Sequence, residues 1–152
     1  MTSELSFRRL AEGDIPIFIE LRIAQLLEEG ASESCDLRPA LIDYYARHLA
    51  DGSFVSWLAL AGDEIIGTSG ISIVEKPPYF GCTTGRIGLI SSMWVKPAYR
   101  RRGIAKELLL RIRSEAKARG CGVLQITASD MGVPLYESCG FTRNGNFRQL
   151  TL

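Results

Sequence analysis

The hydrophobic positions in the first third of the chain predict one strand followed by two helices. Leu5–Leu10 has the pattern of a short strand, and the apolar residues after Ile15 recur three and four positions apart until Gly30 ends the series. The same spacing returns from Pro39, a residue favoured in the first turn of a helix, to about Gly52. The pattern therefore predicts a β-α-α start.

The middle of the chain predicts three consecutive strands. Turn residues separate three segments rich in apolar and β-branched residues, namely Phe54–Leu60, Glu64–Val74 and Arg86–Val95. Gly62-Asp63 is typical of a hairpin turn between the first two strands. The proline-containing stretch Glu75–Gly85 is expected to form a loop before the third.

The last third of the chain predicts alternating helices and strands. A long helix with one apolar face follows Gly103 and ends at Gly120. After it we expect a strand, a short helix and a final strand, at Val123–Ala128, Pro134–Cys139 and Phe147–Leu152. The complete order, β-α-α-β-β-β-α-β-α-β, indicates an α/β fold with helices on both faces of a mixed sheet. Neither a repeat nor a linker interrupts it, so we expect a single domain over residues 1–152.

Composition narrows the class of protein. The 152 residues are 46% hydrophobic and 23% charged, which argues against extended disorder. Lys and Arg number 18 against 17 Asp and Glu, and a net charge of +1 gives no general attraction to nucleic acid or to an anionic membrane. The sequence contains no apolar run of membrane-spanning length, and its first residues lack the apolar core of a signal peptide. We therefore expect a cytoplasmic protein without a membrane or nucleic-acid partner.

The cysteines and the single histidine argue against a zinc site and a disulfide framework. Cys35, Cys82, Cys121 and Cys139 lie far apart without a Cys-x-x-Cys pair, and His48 is the only histidine. We expect reduced thiols and no bound metal.

The most informative segment is Met93–Lys106, which reads MWVKPAYRRRGIAK. It joins a predicted buried strand to the first turn of the longest helix through an arginine-rich turn. Amides at a helix N-terminus lack carbonyl partners and carry a partial positive charge, so they favour a phosphate or pyrophosphate. Gly103 removes a side chain where such a ligand would approach the backbone, and Arg100–Arg102 would add charge. The alternative is a solvated basic corner that binds nothing.

A second motif, Pro134–Phe141 with the sequence PLYESCGF, lies about thirty residues downstream. Together the two motifs resemble those of the GNAT superfamily of acetyl-CoA-dependent N-acetyltransferases, and the predicted order of elements is similar to the GNAT fold. In that family the pattern R/Q-x-x-G-x-G/A holds the CoA pyrophosphate, and the preceding strand pairs with the pantetheine arm. The resemblance implies acetyl-CoA as co-substrate and transfer of an acetyl group to a primary amine of a small molecule or peptide.

The resemblance also implies which residues contact the co-substrate. The strand residues beside pantetheine would be Met93, Trp94 and Val95. The pyrophosphate cradle would consist of Arg100, Arg101, Arg102, Gly103, Ile104, Ala105 and Lys106. Ala105 stands where glycine is commoner in the family. Ser129 stands where many members carry Asn, so its contact with CoA is left open.

Tyr136 in the second motif is the candidate catalytic residue. The resemblance places a tyrosine of this motif near the thiol, where it would give a proton to the leaving thiolate; the alternative is a packing aromatic. Proton transfer from a phenol of pKa ~10 to a thiolate of pKa ~8.5 is uphill by about 2 kcal/mol, so Tyr136 should assist the reaction without being indispensable. Backbone N–H groups of Ser92–Val95 would hold the oxyanion.

The sequence assigns no general base. Some family members carry a glutamate on the strand before the cradle, but Arg86–Met93 contains no acid. Glu75 and Asp130 could act through a water molecule, although solvated surface carboxylates are the simpler interpretation. His48 shares a predicted helical face with apolar residues, which favours packing over catalysis.

The resemblance places the acceptor amine between the first two helices and the loops near the centre of the sheet. That surface would draw on Ile23–Cys35, the Glu75–Gly85 loop and Trp57. Acidic residues in the helix connection would suit a cationic acceptor, although a solvated loop is the simpler explanation; these residues are Glu28, Glu29, Glu33 and Asp36. Tyr79 and Phe80 either line this pocket or cover the core.

Two other functions compete with catalysis. A non-catalytic acyl-CoA sensor would keep the cradle and lack turnover, and the absence of an acid on the strand before the cradle is its only support. A nucleic-acid module using the arginines of the longest helix is disfavoured because Glu107 and Glu115 lie on the same helix. The resemblance also implies a homodimer through the final strands.

Overall fold

The structure, a computed structural model, describes residues 4–152. The chain begins as the hydrophobic pattern predicts, with strand β1 and, after a 3-10 turn at Glu12–Asp14, two helices. Their bounds are Leu5–Arg9 for β1, Ile15–Glu28 for α1 and Arg38–Asp51 for α2. Each helix is followed by a glycine with positive φ, Gly30 at 93° and Gly52 at 78°, which confirms the predicted ends.

The middle of the chain forms four strands, one more than predicted. They are β2 at Phe54–Val55, β3 at Trp57–Ala61, β4 at Glu64–Glu75 and β5 at Arg86–Val95. The predicted strand Phe54–Leu60 is interrupted at Ser56 because a side chain replaces the strand ladder there. Ser69 Oγ accepts from the Trp57 amide at 2.9 Å and donates to the Trp57 carbonyl at 2.7 Å.

The last elements are α3 at Ile104–Ala118, β6 at Val123–Gln125 and α4 at Val133–Ser138. The sheet order is β1-β3-β4-β5-β6, with β2 paired to β4. Only β5 and β6 run parallel among the described pairs, and they are in register from Ile87↔Val123 to Leu89↔Gln125. The expected mixed α/β sheet is confirmed, although β6 is shorter than the predicted Val123–Ala128.

The predicted final strand at Phe147–Leu152 is wrong. No strand follows α4 in the described residues, and Phe147, Leu150 and Leu152 are 74%, 83% and 110% exposed. Apolar residues form a stable strand only where another strand or a helix covers them, and no described element covers these.

The core lies in layers on both faces of the sheet. On one face, α1 and α2 contribute Phe18 and Tyr45, which pack against Phe54 and Leu58. On the other face, α3 contributes Leu108 and Ile112, and with α4 it covers the side chains that point the opposite way. At roughly 25 cal/mol per Å² of apolar area, this burial is the main term that stabilises the fold. Within residues 4–152, no helix is long and apolar enough to cross a membrane.

Candidate active site

The bend between β5 and α3 exposes a helix N-terminus. After Val95 a 3-10 turn covers Pro97–Tyr99, and the chain then passes through Arg101 at φ 62° and Gly103 at φ 78° before α3 begins. The Ile104 side chain is buried in the core and fixes the start of the helix. The Glu107 amide is bonded to the Gly103 carbonyl at 3.1 Å, so residues 104–106 supply the amides that a first helical turn leaves without a carbonyl.

The space outside this bend is open. A Cβ atom added to Gly103 would meet no other atom within 4 Å. Lys106 is exposed on the first turn of α3 and Ala105 is half-buried. An anion of phosphate size can therefore reach the unpaired amides without displacing a side chain.

The three arginines before Gly103 point to different partners. Arg100 donates through Nε to the Val95 carbonyl at 2.8 Å and through a terminal nitrogen to Glu28 at 2.7 Å. Arg102 lies over the Tyr99 ring at 5.4 Å, and Arg101 is exposed. The sequence grouped all three around one anion, whereas the structure uses Arg100 to join the end of β5 to the end of α1.

A gap opens between β5 and β6 beside this bend. The parallel pairing ends at Leu89 and Gln125, so the edge of Ile90–Val95 that follows has no strand partner on that side in the described chain. Of the strand residues predicted to contact the co-substrate, Val95 is buried, while Met93 and Trp94 are half-buried. This edge agrees with the expectation of backbone groups free of sheet pairing near Ser92–Val95.

A β-bulge distorts β5 at the same level. Thr68 pairs with Trp94 and Gly70 with Ser91, so Ser92 and Met93 together lie opposite Ser69 alone. Ser92 takes a φ of 57°, a left-handed conformation that is uncommon for serine.

Side chains hold both carbonyls of the bulge. Thr68 Oγ1 donates to the Ser92 carbonyl at 2.6 Å, and the buried Gln25 of α1 donates through Nε2 to the Met93 carbonyl at 3.1 Å. An unpaired buried carbonyl costs ~1–3 kcal/mol, so these two bonds stabilise the distorted backbone. Neither Thr68 nor Gln25 was singled out from the sequence, although Gln25 lies two helical turns after the apolar Phe18 and was an available signal.

Tyr136 lies on α4 beneath the gap, packed against the core. It is 6% exposed, and its ring contacts Phe141 edge-on at 5.6 Å between centroids. Burial, and secondarily the negative charge of Glu29, raise the pKa of Tyr136 to about 12. The phenol therefore keeps its proton at every physiological pH, but it is a weaker acid than a free tyrosine.

The end of α1 brings two carboxylates to this gap. Glu28 accepts from Arg100 and, at 3.3 Å, from the Trp94 indole, and the Arg100 bond is the main reason that its pKa is lowered. Glu29 accepts from Gln25 Nε2 at 3.2 Å and acts electrostatically on Tyr136. Of the four acidic residues expected to receive a cationic acceptor, Glu28 is thus paired with Arg100, Glu29 acts on the candidate acid, and Asp36 is paired with Arg38 at 3.0 Å.

The residues considered as bases lie elsewhere or are otherwise engaged. Glu75 pairs with Arg86 at 2.5 Å, and Asp130 is exposed. His48 stacks on Tyr44 at 4.1 Å and its Nδ1 is 2.6 Å from Ser53 Oγ, so the expected packing role is confirmed. The Ser129 carbonyl accepts from Gly132 and Val133 at the start of α4.

Trp57, which was expected in the acceptor pocket, lies elsewhere, and one of the two alternatives for Phe80 is excluded. Trp57 packs with α3, on the face opposite α1 and α2, because Glu115 accepts its indole N–H at 3.0 Å. Phe80 is fully exposed at the tip of its loop and so covers no core.

Two cavities lie outside the gap between β5 and β6. A groove of about 480 Å³ lies between β1 and α3, at the opposite edge of the sheet. A pocket of about 80 Å³ lies under the connection from α1 to α2, lined by residues including Ile23, Leu27 and Cys35. The pocket borders the side from which an acceptor was expected. The groove is lined by no residue of either sequence motif.

The fold and this site together define the class of protein. The sequence model of the acetyltransferase (GNAT) family matches residues 20–141. The chain belongs to the GNAT family, as its two motifs indicated.

Individual relatives agree with this assignment. A predicted acetyltransferase from Clostridium acetobutylicum, solved with acetyl-CoA, is 32% identical, has a TM-score of 0.94, and the match covers 97% of this chain and 96% of that one. N-acetyltransferase 8B of Rattus norvegicus is 30% identical over 73% of this chain and 50% of its own length. The N-alpha-acetyltransferase RimI of Mycobacterium tuberculosis is 35% identical over 57% of this chain and 51% of its own length. The chain thus spans about half the length of these two curated relatives.

Proposed function

We propose that the protein is an acetyl-CoA-dependent N-acetyltransferase that acts on a primary amine by direct attack. The observation that carries this proposal is the open, amide-lined bend at Gly103 directly after β5. The solved relative from Clostridium acetobutylicum was obtained with acetyl-CoA, which supports the same co-substrate here.

The residues present fit the CoA pyrophosphate at the bend. The amides of residues 104–106 would donate to its oxygens, and Gly103 leaves the approach open. Arg101, Arg102 and Lys106 are exposed and would add positive charge, whereas Arg100 would act indirectly by holding the bend against Glu28. The unpaired edge of Ile90–Val95 would accept the pantetheine arm in the manner of a strand, as the family resemblance implies.

The reaction requires a neutral amine. Its nitrogen attacks the thioester carbonyl carbon, a C–N bond forms and the C–S bond breaks. The amine loses one proton and the CoA thiolate gains one, so acetyl-CoA and an amine become an N-acetyl amide and free CoA. A lysine-like amine of pKa ~10.4 is neutral in only about one molecule in 2,500 at pH 7, so a group that removes its proton would raise the rate.

Tyr136 is the proposed donor to the leaving thiolate. With its pKa raised to about 12, proton transfer to a thiolate of pKa ~8.5 is uphill by about 5 kcal/mol. This exceeds the value for a free phenol, so hydrogen bonding to the thiolate contributes more than complete proton transfer. The bulge at Ser92 supports stabilisation of the oxyanion by the backbone. It turns backbone groups of β5 out of the strand ladder, where an amide would donate to the oxyanion.

One observation favours a second function, the acyl-CoA sensor. No carboxylate stands on β5, and Glu75 is bound to Arg86. The two functions differ in turnover, because a sensor binds acetyl-CoA without releasing CoA.

Release of free thiol from acetyl-CoA, measured across a panel of primary amines, tests the proposal. We expect amine-dependent release with at least one acceptor, accompanied by an acetylated product of 42 Da greater mass, the mass of one acetyl group replacing hydrogen. Tight binding of acetyl-CoA with no release for any amine would favour the sensor and refute the enzyme.

A further inference from the structure

One arginine near the gap lacks the partner that every comparable arginine has. Six arginines are half-buried in the described residues, namely Arg22, Arg38, Arg86, Arg100, Arg111 and Arg119. Five of them lie within 4 Å of a carboxylate oxygen. Arg22 has no such pair within residues 4–152, and its guanidinium donates only to the amide oxygen of Gln25, at 3.2 Å. A partly desolvated guanidinium without an anion is costly, so an anion from outside the chain would be favoured there.

Arg22 belongs to a row of polar residues along α1 that ends at the gap between β5 and β6. Arg22, Gln25 and Glu29 follow one another at helical spacing, and Gln25 accepts from Arg22 and donates to Glu29, each at 3.2 Å. The same Gln25 amide donates to the Met93 carbonyl, which places the row over the bulge of β5. Glu29 follows Arg22 by seven positions, a backbone separation of about 10 Å along the helix axis, and the Gln25 amide bridges their side chains.

The Arg22 side chain lies beside two buried hydroxyls, those of Ser92 and Tyr45. Ser92 is 2% exposed, and its Oγ makes no hydrogen bond with any described group. Burial raises the pKa of Tyr45, while the neighbouring Ser92 hydroxyl and the positive charge of Arg22 act in the opposite direction. The charge of Arg22 therefore lies next to a buried surface that offers it no anion, which favours an anionic group from outside the chain.

We propose that the acceptor is an amine that also carries an anionic group, a carboxylate or a phosphate. Arg22 binds the anionic group, and Glu29, beside Tyr136, binds the ammonium before it loses its proton. This inference rests on the proposed function and names the acceptor class for the same site. A small zwitterion fits the arrangement because one molecule neutralises both ends of the row, whereas a simple cationic amine leaves Arg22 without an anion.

The test compares matched acceptors that differ in the anionic group. One pair is an amino acid and its carboxamide, and the other is phosphoethanolamine and ethanolamine. For each pair the ratio of kcat/KM, anionic over neutral, is measured by thiol release in the wild type and in Arg22→Gln. Because each acceptor's amine pKa is the same for both enzymes, differences in amine basicity cancel when the two ratios are compared. Whichever pair shows the effect identifies the anion as carboxylate or phosphate.

We expect Arg22→Gln to lower the ratio about 10- to 100-fold for one pair, the range for a lost hydrogen bond to a charged group. Arg22→Lys should restore part of the preference, since it keeps the charge without the planar fork. Arg113→Gln is the matched control, because Arg113 is exposed on α3 and no group among residues 4–152 accepts from its side chain, and it should leave the ratio unchanged.

The outcomes separate this inference from the proposed function. Amine-dependent thiol release whose ratio is the same in the wild type and in Arg22→Gln, for both pairs, would refute the anion site and leave the acetyltransferase intact. No thiol release with any amine would refute both. A lower ratio in Arg22→Gln that Arg113→Gln does not reproduce would support the anion site.

Discussion

Two glycines with the same backbone conformation allow the proposed pyrophosphate site to be tested with a matched control. Gly103 precedes α3 at φ 78° and ψ 7°, and Gly52 follows α2 at φ 78° and ψ 6°. A Cβ atom at either position would meet nothing within 4 Å. Replacement by alanine therefore introduces the same strain at both sites, and only one of them borders the proposed cradle.

The strain can be estimated from the conformation. A residue with a Cβ in the left-handed region costs about 1–2 kcal/mol, which for a chain of this size lowers Tm by ~2–8 °C. We expect Gly103→Ala and Gly52→Ala to be destabilised by similar amounts, as measured by thermal unfolding without ligand.

The two variants should differ in CoA affinity. A methyl group at residue 103 stands where a phosphate oxygen would approach the amides, and each charge-assisted bond lost is worth ~1.5–3 kcal/mol. We therefore expect the calorimetric Kd for CoA to rise about 10- to 100-fold in Gly103→Ala and to stay within about twofold in Gly52→Ala. Equal affinities in the two variants, with both folded, would refute the placement of the pyrophosphate at this bend.

The remaining predictions concern three buried polar groups, Tyr136, Thr68 and Glu115. Tyr136→Phe should lower kcat ~10- to 1,000-fold with little change in acetyl-CoA affinity. The fold raises the pKa of Tyr136 to about 12, so the folded state favours the protonated phenol. The stabilisation of the fold by this phenol is complete below pH ~10 and is lost as the pH rises toward 12. Urea unfolding at pH 8 and pH 11 should show the wild type losing about 1.4 kcal/mol more than Tyr136→Phe. Thr68→Val should cost ~1–3 kcal/mol and reduce kcat because the Ser92 carbonyl loses its donor, whereas Thr83→Val, in an exposed loop, should do neither. Burial alone would raise the pKa of Glu115, but bonds from Arg9, Trp57 and Arg119 lower it. The ionised Glu115 carboxylate therefore stabilises the fold at pH 7, and this stabilisation is lost as the pH falls below ~4. The difference in the free energy of unfolding between the wild type and Glu115→Gln should shrink between pH 7 and pH 3.

Much of the fold could be predicted because apolar spacing decides which faces are buried. The predicted apolar face of the longest helix consists of Ala105, Leu108, Leu109, Ile112 and Ala116, and all of these are buried except Ala105, which is half-buried. The error at Phe147–Leu152 has a physical reason, since a strand exists through its partner and the pattern of a segment does not say whether a partner is present.

The site was predictable where the motif dictates backbone conformation and less so where distant groups meet. Gly103 was singled out from the sequence, and its positive φ and open surroundings agree with the role expected of it. The bond from Arg100 to Glu28 joins residues 72 positions apart, and no local pattern predicts it. The bulge at Ser92 depends on Thr68 and Gln25, two polar residues that the fold buries. Such residues were the available signal, because a polar group on a buried face needs a partner.

The central claim is that the first amides of α3 bind the pyrophosphate of CoA. Titration of CoA into isotopically labelled protein, followed through the backbone amide resonances, tests it directly. We predict that the largest saturable shifts occur at residues 103–106, and that dephosphorylated pantetheine, which lacks the pyrophosphate, leaves those four resonances nearly unmoved. Shifts confined to other parts of the chain at saturating CoA would contradict the account.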